Sequence, residues 1–272
     1  MKTAENVDPA ILHALRREGL DSVEGAFAFR GGDDLNKPRL GGRRRTRLQV
    51  VDSKGVTRAL YLKRYAAQTF RQRLRRWLTR GGGPASVEFA NVLAARAAGL
   101  PTMEAIACDE ERRCCGAARG YAIFAAVPGD ALERVLDGFL DRHQQDGAVE
   151  QLTMKLAALV RDLHASGCVH RDLYASHIFM DESGGKMDLY LIDLARMFRP
   201  RWRRFRWVVK DLAQLKYSMP DRWVDRYWDV FLSAYLGDAG GVSGRLARAI
   251  DRKVARIRRH SRRRSAAEAA QR

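Results

Sequence analysis

The feature that most constrains the fold is the stretch between residues 169 and 196. It begins where a helix with a regular apolar face ends, and the tripeptide His-Arg-Asp follows at 170–172. Two short strands are then expected at 178–180 and 186–192, joined by a turn that contains two glycines. The second strand leads directly into Asp193. Any fold of this chain therefore has to hold two carboxylates at the ends of short, mostly buried elements.

This order of elements is typical of a protein-kinase catalytic loop followed by a metal-binding aspartate. Asp172 is predicted to accept the proton of an acceptor hydroxyl, or to orient that hydroxyl. Asp193 is predicted to hold Mg²⁺ between phosphates. His170 and Arg171 are predicted to pack against the loop and brace it. Chance occurrence of the tripeptide is the alternative, which its surroundings disfavour.

A kinase of this kind also needs a strand lysine and a helix glutamate in its N-terminal half. Residues 60–65 alternate as a strand does and contain one candidate lysine, Lys63. Glu88 is the only acidic residue of the helix expected at 86–98. Lys63 is thus predicted to contact the α- and β-phosphates of ATP, and Glu88 to hold Lys63. A solvated lysine and an exposed glutamate remain the alternatives.

The phosphate-binding loop of protein kinases has no clear counterpart, because the chain contains no G-x-G-x-x-G motif. Gly41 and Gly42 occupy its position and are followed by three arginines at 43–45. Paired glycines allow a close backbone approach to phosphate, and arginine binds phosphate directly. An ordinary basic hairpin turn is the other interpretation of this segment.

Five segments together resemble the lipopolysaccharide core kinase family, which comprises the heptose and Kdo kinases of Gram-negative envelopes. They are YLKRY at 61–65, the Glu88 helix, HRDLYASH at 170–177, IDLAR at 192–196 and KDLA at 210–213. The resemblance covers roughly residues 40–235. It implies a protein-kinase-like fold, ATP and Mg²⁺, and transfer of the γ-phosphate to a sugar hydroxyl of a lipid-linked glycan. A protein kinase or another small-molecule kinase of the same fold is the alternative enzyme.

Two departures from the protein-kinase pattern bear on the site. His177 stands where protein kinases have a metal-binding asparagine. Because imidazole is a poor ligand for Mg²⁺, His177 is either a metal ligand or a loop-bracing residue, and both remain open. Only 16 residues separate Asp193 from Lys210, which leaves little room for a peptide-docking segment and disfavours a protein substrate.

The expected fold class is α+β and bilobal, with domain boundaries taken from the element pattern. Residues 1–127 are predicted to form a small N-lobe with an antiparallel sheet and one main helix, and residues 128–241 a mostly helical C-lobe. Residues 242–272 form a basic C-terminal helix or tail. The remaining predicted elements are a helix at 8–19, a hairpin at 47–52 and 57–61, a basic amphipathic helix at 68–80, strands at 103–108 and 121–127, and helical structure at 210–236.

Charge limits the partners. The chain has 50 basic and 32 acidic residues, a net charge of +18, and the excess is concentrated at 39–80, 196–210 and 245–272. Basic patches on an otherwise acidic chain favour a polyanionic partner. A lipid-linked anionic glycan and an anionic membrane surface fit best. A nucleic-acid-binding protein and a pseudokinase are the non-catalytic alternatives; nucleic acid is disfavoured because it does not explain the order of the kinase motifs.

Location follows from what the sequence lacks. The longest uncharged stretch, residues 120–129, is too short to cross a bilayer, and the N-terminus has no apolar leader. The four cysteines form neither a zinc pattern nor a disulfide framework, so reduced thiols are expected. We therefore expect a cytoplasmic enzyme, peripheral on the inner face of the inner membrane. Aromatic and basic residues of the 68–80 helix, the 199–207 loop and the 245–264 tail would contact lipid.

Overall fold

The computed structural model describes residues 1–35, 43–65, 82–113, 116–143, 147–237 and 244–269. The chain divides into two compact units, Met1–Val127 and Pro128–Arg272. The predicted basic helix at 68–80 and the glycine pair Gly41 and Gly42 lie outside the described residues.

An antiparallel six-stranded sheet with the order β1-β5-β6-β4-β3-β2 forms the centre of the first unit. Its strands are β1 (Lys2–Thr3), β2 (Asp33–Asp34), β3 (Arg43–Val51), β4 (Thr57–Tyr65), β5 (Ala105–Arg113) and β6 (Gly116–Ala125). The hairpin predicted around the turn at 52–55 is confirmed, but its strands are longer than expected. The ladder continues until Arg43 faces Tyr65, which places Lys63 inside a paired strand.

Among the described residues of the first unit, three helices pack on this sheet: α1 (Pro9–Arg17), α2 (Val23–Ala28) and α3 (Pro84–Ala97). The helix predicted at 8–19 is confirmed as α1, whose N-terminus is capped by Asp8; its carboxylate accepts a hydrogen bond of 2.8 Å from the amide of Ala10. Leu62 belongs to the buried cluster that also contains Ile11 of α1. Since neighbouring strand residues point to opposite faces, Lys63 faces the other side.

Helix α3 covers the face of the sheet to which Lys63 points. The helix has no side-chain cap of its own. Instead the carboxylate of Glu110, on β5, accepts hydrogen bonds from the amides of Gly83 (2.9 Å) and Ser86 (3.0 Å). These amides have no partner inside the helix, so the contact both satisfies them and ties the helix to the sheet. The helix predicted at 86–98 is thereby confirmed and positioned.

The second unit combines a three-stranded sheet of order β7-β8-β9 with five helices among its described residues. The strands are β7 (Asp130–Ala131), β8 (Ile178–Asp181) and β9 (Asp188–Leu191), and the helices are α4 (Leu132–Arg142), α5 (Ala148–Ala165), α6 (Arg204–Ser218), α7 (Asp221–Leu236) and α8 (Gly244–Ala269). Gly129 precedes β7 with φ of +78°, and a Cβ there would lie 1.9 Å from the carbonyl oxygen of Met180. Only glycine fits this approach.

The C-terminal helices confirm one expectation and correct another. The helical structure predicted at 210–236 is present as two helices, because Met219 and Pro220 separate α6 from α7 and proline has no amide hydrogen to continue a helix. The loop expected at 199–207 is in part helical, since α6 begins at Arg204. Helix α8 packs against α6 through a buried stripe that includes Leu246 and Ile250. Among the described helices, none is long and apolar enough to cross a membrane.

Candidate active site

In the first unit the predicted lysine and glutamate form an ion pair. The Nζ of Lys63 lies 2.5 Å from Oε1 of Glu88, whose side chain is only 1% exposed. The second carboxylate oxygen of Glu88 accepts a hydrogen bond from the hydroxyl of Tyr65, two residues along β4. The ammonium of Lys63 also lies 5.3 Å from the centre of the Phe124 ring on β6. Glu88 is thus held on both oxygens and fixes the lysine in one position.

In the second unit, a buried aspartate that was not predicted as a site residue organises the His-Arg-Asp loop. Asp211 of α6 has no exposed surface. Its two carboxylate oxygens accept hydrogen bonds from the backbone amides of His170 (2.7 Å) and Arg171 (2.8 Å). Hydrogen bonds to a charged acceptor are among the stronger ones in proteins. Asp211 therefore fixes the loop backbone immediately before Asp172.

The side chain of His170 is fully buried beneath the loop. Its Nε2 lies 3.0 Å from the carbonyl oxygen of Ile192, and because a carbonyl only accepts, Nε2 has to donate. Burial lowers the pKa of His170, and the nearby carboxylate of Asp211 opposes that shift only in part. A neutral imidazole of fixed tautomer thus connects the loop to the residue before Asp193, which fits the predicted bracing role.

The guanidinium of Arg171 packs against two aromatic rings. Its guanidinium lies 5.3 Å from the ring centre of Phe198 and 5.2 Å from that of Trp207, and these two rings meet edge to face. Its backbone has φ of +70°, the left-handed region that L residues rarely occupy. Asp193 has φ of +58° as well. Strained backbone of this kind clusters at functional sites, where the surrounding contacts hold it.

The carboxylate of Asp172 lies between two cations. The Nη1 of Arg196 is 2.9 Å from one carboxylate oxygen and 3.0 Å from the other. The Nζ of Lys210 is 3.8 Å away, and the same ammonium donates to the carbonyl oxygen of Arg171 and to Gln214. Burial lowers the pKa of Lys210, whereas Asp172 and then Asp211 act to raise it. Positive charge is therefore concentrated around the proposed base.

His177 lies between the backbone carbonyl of Asp172 and the carboxylate of Asp193. Its Nδ1 lies 2.8 Å from the carbonyl oxygen of Asp172 and must donate to it. The other ring nitrogen, Nε2, lies 3.6 Å from Oδ2 of Asp193. In the neutral ring that nitrogen carries a lone pair, so one side of His177 holds the loop while the other faces Asp193 with a possible ligand atom. The two roles left open by the sequence are compatible in this geometry.

The chemistry of the metal site follows from these donors. Within the described ranges, no group of three or more His, Cys, Asp or Glu residues is arranged to hold a metal ion. Magnesium in kinases is bound by only one or two carboxylates, with phosphate oxygens and water supplying the rest. The carboxylate of Asp193 fits that requirement, whereas the imidazole of His177 is a softer donor than Mg²⁺ prefers.

Sequence reasoning missed four residues that build this arrangement: Tyr65, Arg196, Lys210 and Asp211. Lys210 and Asp211 could have been found, because they interrupt the apolar face of a helix between Val209 and Leu212. Charged residues on a buried face require a partner. Nothing in the sequence shows that the partner lies 40 residues earlier in the chain.

Comparisons with known proteins show the family and the fold of this chain. A family model described as the lipopolysaccharide kinase (Kdo/WaaP) family matches residues 38–235. No curated protein sequence matches the chain. Among solved structures, one titled "WaaP in complex with acyl carrier protein" is similar, with a TM-score of 0.66 and 23% sequence identity. The match covers 93% of this chain and 99% of that chain, and it confirms the predicted α+β, protein-kinase-like fold.

Proposed function

Because this chain belongs to the lipopolysaccharide kinase (Kdo/WaaP) family, we propose that Asp172, Lys63 and Asp193 are the central residues of its phosphoryl transfer. The family is one of phosphotransferases that act on sugar hydroxyls in lipopolysaccharide synthesis, so the predicted enzyme class is confirmed. ATP is the phosphoryl donor that such a kinase uses. The roles of individual residues, the metal and the place of action are the proposal.

Asp172 is the proposed base. Its carboxylate accepts the proton of the acceptor hydroxyl or orients that hydroxyl for attack, a role that typically contributes about 10²–10⁴-fold to rate. Arg196 bridges both oxygens of this carboxylate and Lys210 lies 3.8 Å away, so cations are available where charge develops during transfer. The buried contact between Asp211 and the loop amides keeps Asp172 in position.

Lys63 is proposed to bind phosphate and Asp193 to bind the metal. The ion pair with Glu88 holds the ammonium of Lys63 at 2.5 Å and limits its rotamers, which reduces the entropy lost when phosphate binds. Mg²⁺, when bound, neutralises phosphate charge during transfer. Asp193 supplies the hard oxygen ligand and His177 lies next to it, within 3.6 Å. Gly41 and Gly42 stay proposed phosphate contacts, outside the described residues.

The single observation that best supports this proposal is the position of His177. The ring is hydrogen-bonded to the backbone carbonyl of Asp172 and lies 3.6 Å from the carboxylate of Asp193, so one side chain adjoins both the loop of the proposed base and the proposed metal ligand. A nucleic-acid-binding protein has no need for such an arrangement, and neither has a pseudokinase scaffold. A functional kinase needs its catalytic base and its metal ligand held in fixed positions relative to each other.

The test is ATP consumption by the purified protein in three mixtures: with lipopolysaccharide, with nucleic acid, and with neither. We expect consumption to rise only with lipopolysaccharide. Equal rates in all three would indicate an uncoupled ATPase. Activity stimulated by nucleic acid alone would favour the competing function.

We further propose that the enzyme works as a peripheral protein on an anionic membrane surface, where its lipid-linked substrate lies. Trp202 is 82% exposed, and Phe205 is partly exposed beneath the guanidinium of Arg245. Apolar insertion together with positive charge is the combination that stable surface binding needs. Each basic residue near such a surface contributes about 1 kcal/mol, which salt screens.

Flotation with anionic and neutral liposomes at low and high salt tests this location. Binding should require anionic lipid, decrease with salt, and weaken in Trp202→Ala. The control is Met154→Ala, which removes a half-exposed apolar side chain from α5 and should bind like wild type. Binding that ignores lipid charge and salt, or that the two variants lower equally, would contradict the proposal.

A further inference from the structure

The second unit contains an open pocket of about 670 Å³ next to the catalytic loop. Ligand pockets have volumes of roughly 300–1,000 Å³, so this one is large enough for a sugar ring with its substituents. Its walls come from α4, the loop after Asp172, the turn between α6 and α7, and α8. None of the catalytic roles given above uses it.

The pocket shares its wall with the catalytic loop. Tyr174 lines the pocket, and its amide donates a hydrogen bond of 2.9 Å to the carbonyl oxygen of Asp172. The ring of Tyr174 also meets that of His177 edge to face. Ser218, which also lines the pocket, accepts a hydrogen bond of 2.8 Å from the amide of Ala175. The loop that carries Asp172 therefore also forms part of the pocket wall.

Most residues that line the pocket have polar side chains that can form hydrogen bonds with a carbohydrate. Nine of the eleven lining residues have a hydroxyl, carboxylate or guanidinium group, which disfavours an adenine ring or an acyl chain as the occupant. Tyr174, Ser176 and Tyr217 offer hydroxyls, Glu133 accepts, and Arg262 donates. A ring with several hydroxyl groups needs donors and acceptors together, and this lining provides both.

One ion pair among the lining residues can be exchanged for a ligand. Arg258 pairs with Asp221 at 3.3 Å, but both side chains are more than half exposed, and ion pairs of that kind contribute little. Arg258 can therefore exchange this contact for a ligand at low cost.

We propose that this pocket binds a sugar residue of the acceptor glycan, adjacent to the sugar that is phosphorylated. The inference rests on the proposed function and extends it by assigning acceptor recognition to Arg258, Arg262 and Glu133. Helix α8 thereby gains a role beyond its positive charge, because it supplies one wall of the acceptor subsite.

Steady-state kinetics with lipid-free core oligosaccharide tests this subsite, since the soluble acceptor removes any contribution from a membrane. The pocket variant is Arg258→Gln with Arg262→Gln. The matched control is Arg259→Gln with Arg263→Gln, which removes the same charge from exposed positions of the same helix that do not line the pocket. Charge-assisted hydrogen bonds are strong enough that the pocket variant should raise the acceptor KM by about tenfold or more. The KM for ATP should stay near the wild-type value, and the control should behave like wild type.

Glu133→Gln is a second, independent variant, at an exposed position where folding is not at risk. It should raise the acceptor KM in the same direction. An unchanged acceptor KM in both pocket variants would overturn the proposal, and so would an equal rise in the control, because that would indicate a general charge effect.

Calorimetric binding of the same oligosaccharide without ATP separates this proposal from the proposed function. If wild type binds the glycan but does not phosphorylate it, the kinase assignment fails and the subsite stands, provided that the pocket variant loses binding. If wild type phosphorylates the glycan and the pocket variant binds it equally well, only the subsite fails. Absence of both binding and phosphorylation in wild type contradicts both.

Discussion

Replacement of Asp211 by asparagine should both destabilise the protein and slow catalysis. The carboxylate accepts two buried backbone hydrogen bonds, of 2.7 and 2.8 Å, from the amides of His170 and Arg171. An amide side chain has a single oxygen, so one of these N–H groups would face an NH₂ donor. A buried donor without a partner costs about 1–3 kcal/mol, and loss of the charged acceptor weakens the other bond. We expect a decrease of roughly 2–4 kcal/mol in the free energy of unfolding.

Catalysis should suffer separately, since the released loop also positions Asp172. A displacement of about 1 Å at a reacting group can lower the rate by roughly 100-fold. Urea unfolding and kcat measured at a temperature where the variant is folded give the two readouts. Asp251→Asn is the control, because Asp251 forms an exposed ion pair of 2.7 Å with Lys216 and should contribute less than about 1 kcal/mol. Asp211→Asn with near wild-type stability and kcat would refute this account of the loop.

Three further predictions concern single site residues. Glu88→Gln should raise the KM for ATP by about tenfold, because the buried carboxylate that holds Lys63 is lost, while the acceptor KM stays unchanged. If His177 is a metal ligand, His177→Asn should lower the Mg²⁺ concentration needed for half-maximal activity, because an amide offers a harder oxygen. If His177 only braces the loop, the same change should lower the free energy of unfolding and leave the Mg²⁺ dependence unchanged. Burial lowers the pKa of His170, so below about pH 6.5 this histidine takes up a proton in the unfolded chain but not in the folded one. The free energy of unfolding should therefore decrease below that pH, by up to about 1.4 kcal/mol per pH unit. The decrease should be less steep in His170→Phe.

The predictions for Glu88→Gln and for His170 each have a matched control. Glu104→Gln changes a more exposed glutamate of the same unit and should leave the KM for ATP unaltered. His13→Gln changes an exposed histidine of α1 and should keep the wild-type pH dependence of unfolding. A His170→Phe protein whose stability depends on pH as steeply as wild type would show that another group titrates there.

The sequence predicted the parts of the site that are local in the chain. The tripeptide at 170–172, the hairpin after it and the strand lysine each lie in a short pattern with a recognisable period. A local pattern of this kind predicts whether a segment forms a helix or a strand, because its period determines which side chains can be buried on one face.

What the sequence could not predict depends on contacts between distant segments. Asp211 lies 41 residues after His170, and no local pattern indicates that its carboxylate binds the amide of that residue. Strands β1 and β2 have two residues each, too few to show any period. The helical structure at 210–236 was predicted without its internal boundary, which the structure places at Met219 and Pro220.

The most direct test of the central claim follows the phosphate itself. Purified protein is incubated with ATP labelled in the γ-phosphate and with lipopolysaccharide that lacks core phosphate, and label is measured in the sugar after lipid and protein are removed. Wild type should transfer label to a sugar hydroxyl in a Mg²⁺-dependent reaction, and Asp172→Asn should transfer it at least about 100-fold more slowly while still binding ATP. Label that never reaches the glycan, or that reaches it equally fast with Asp172→Asn, would contradict the account.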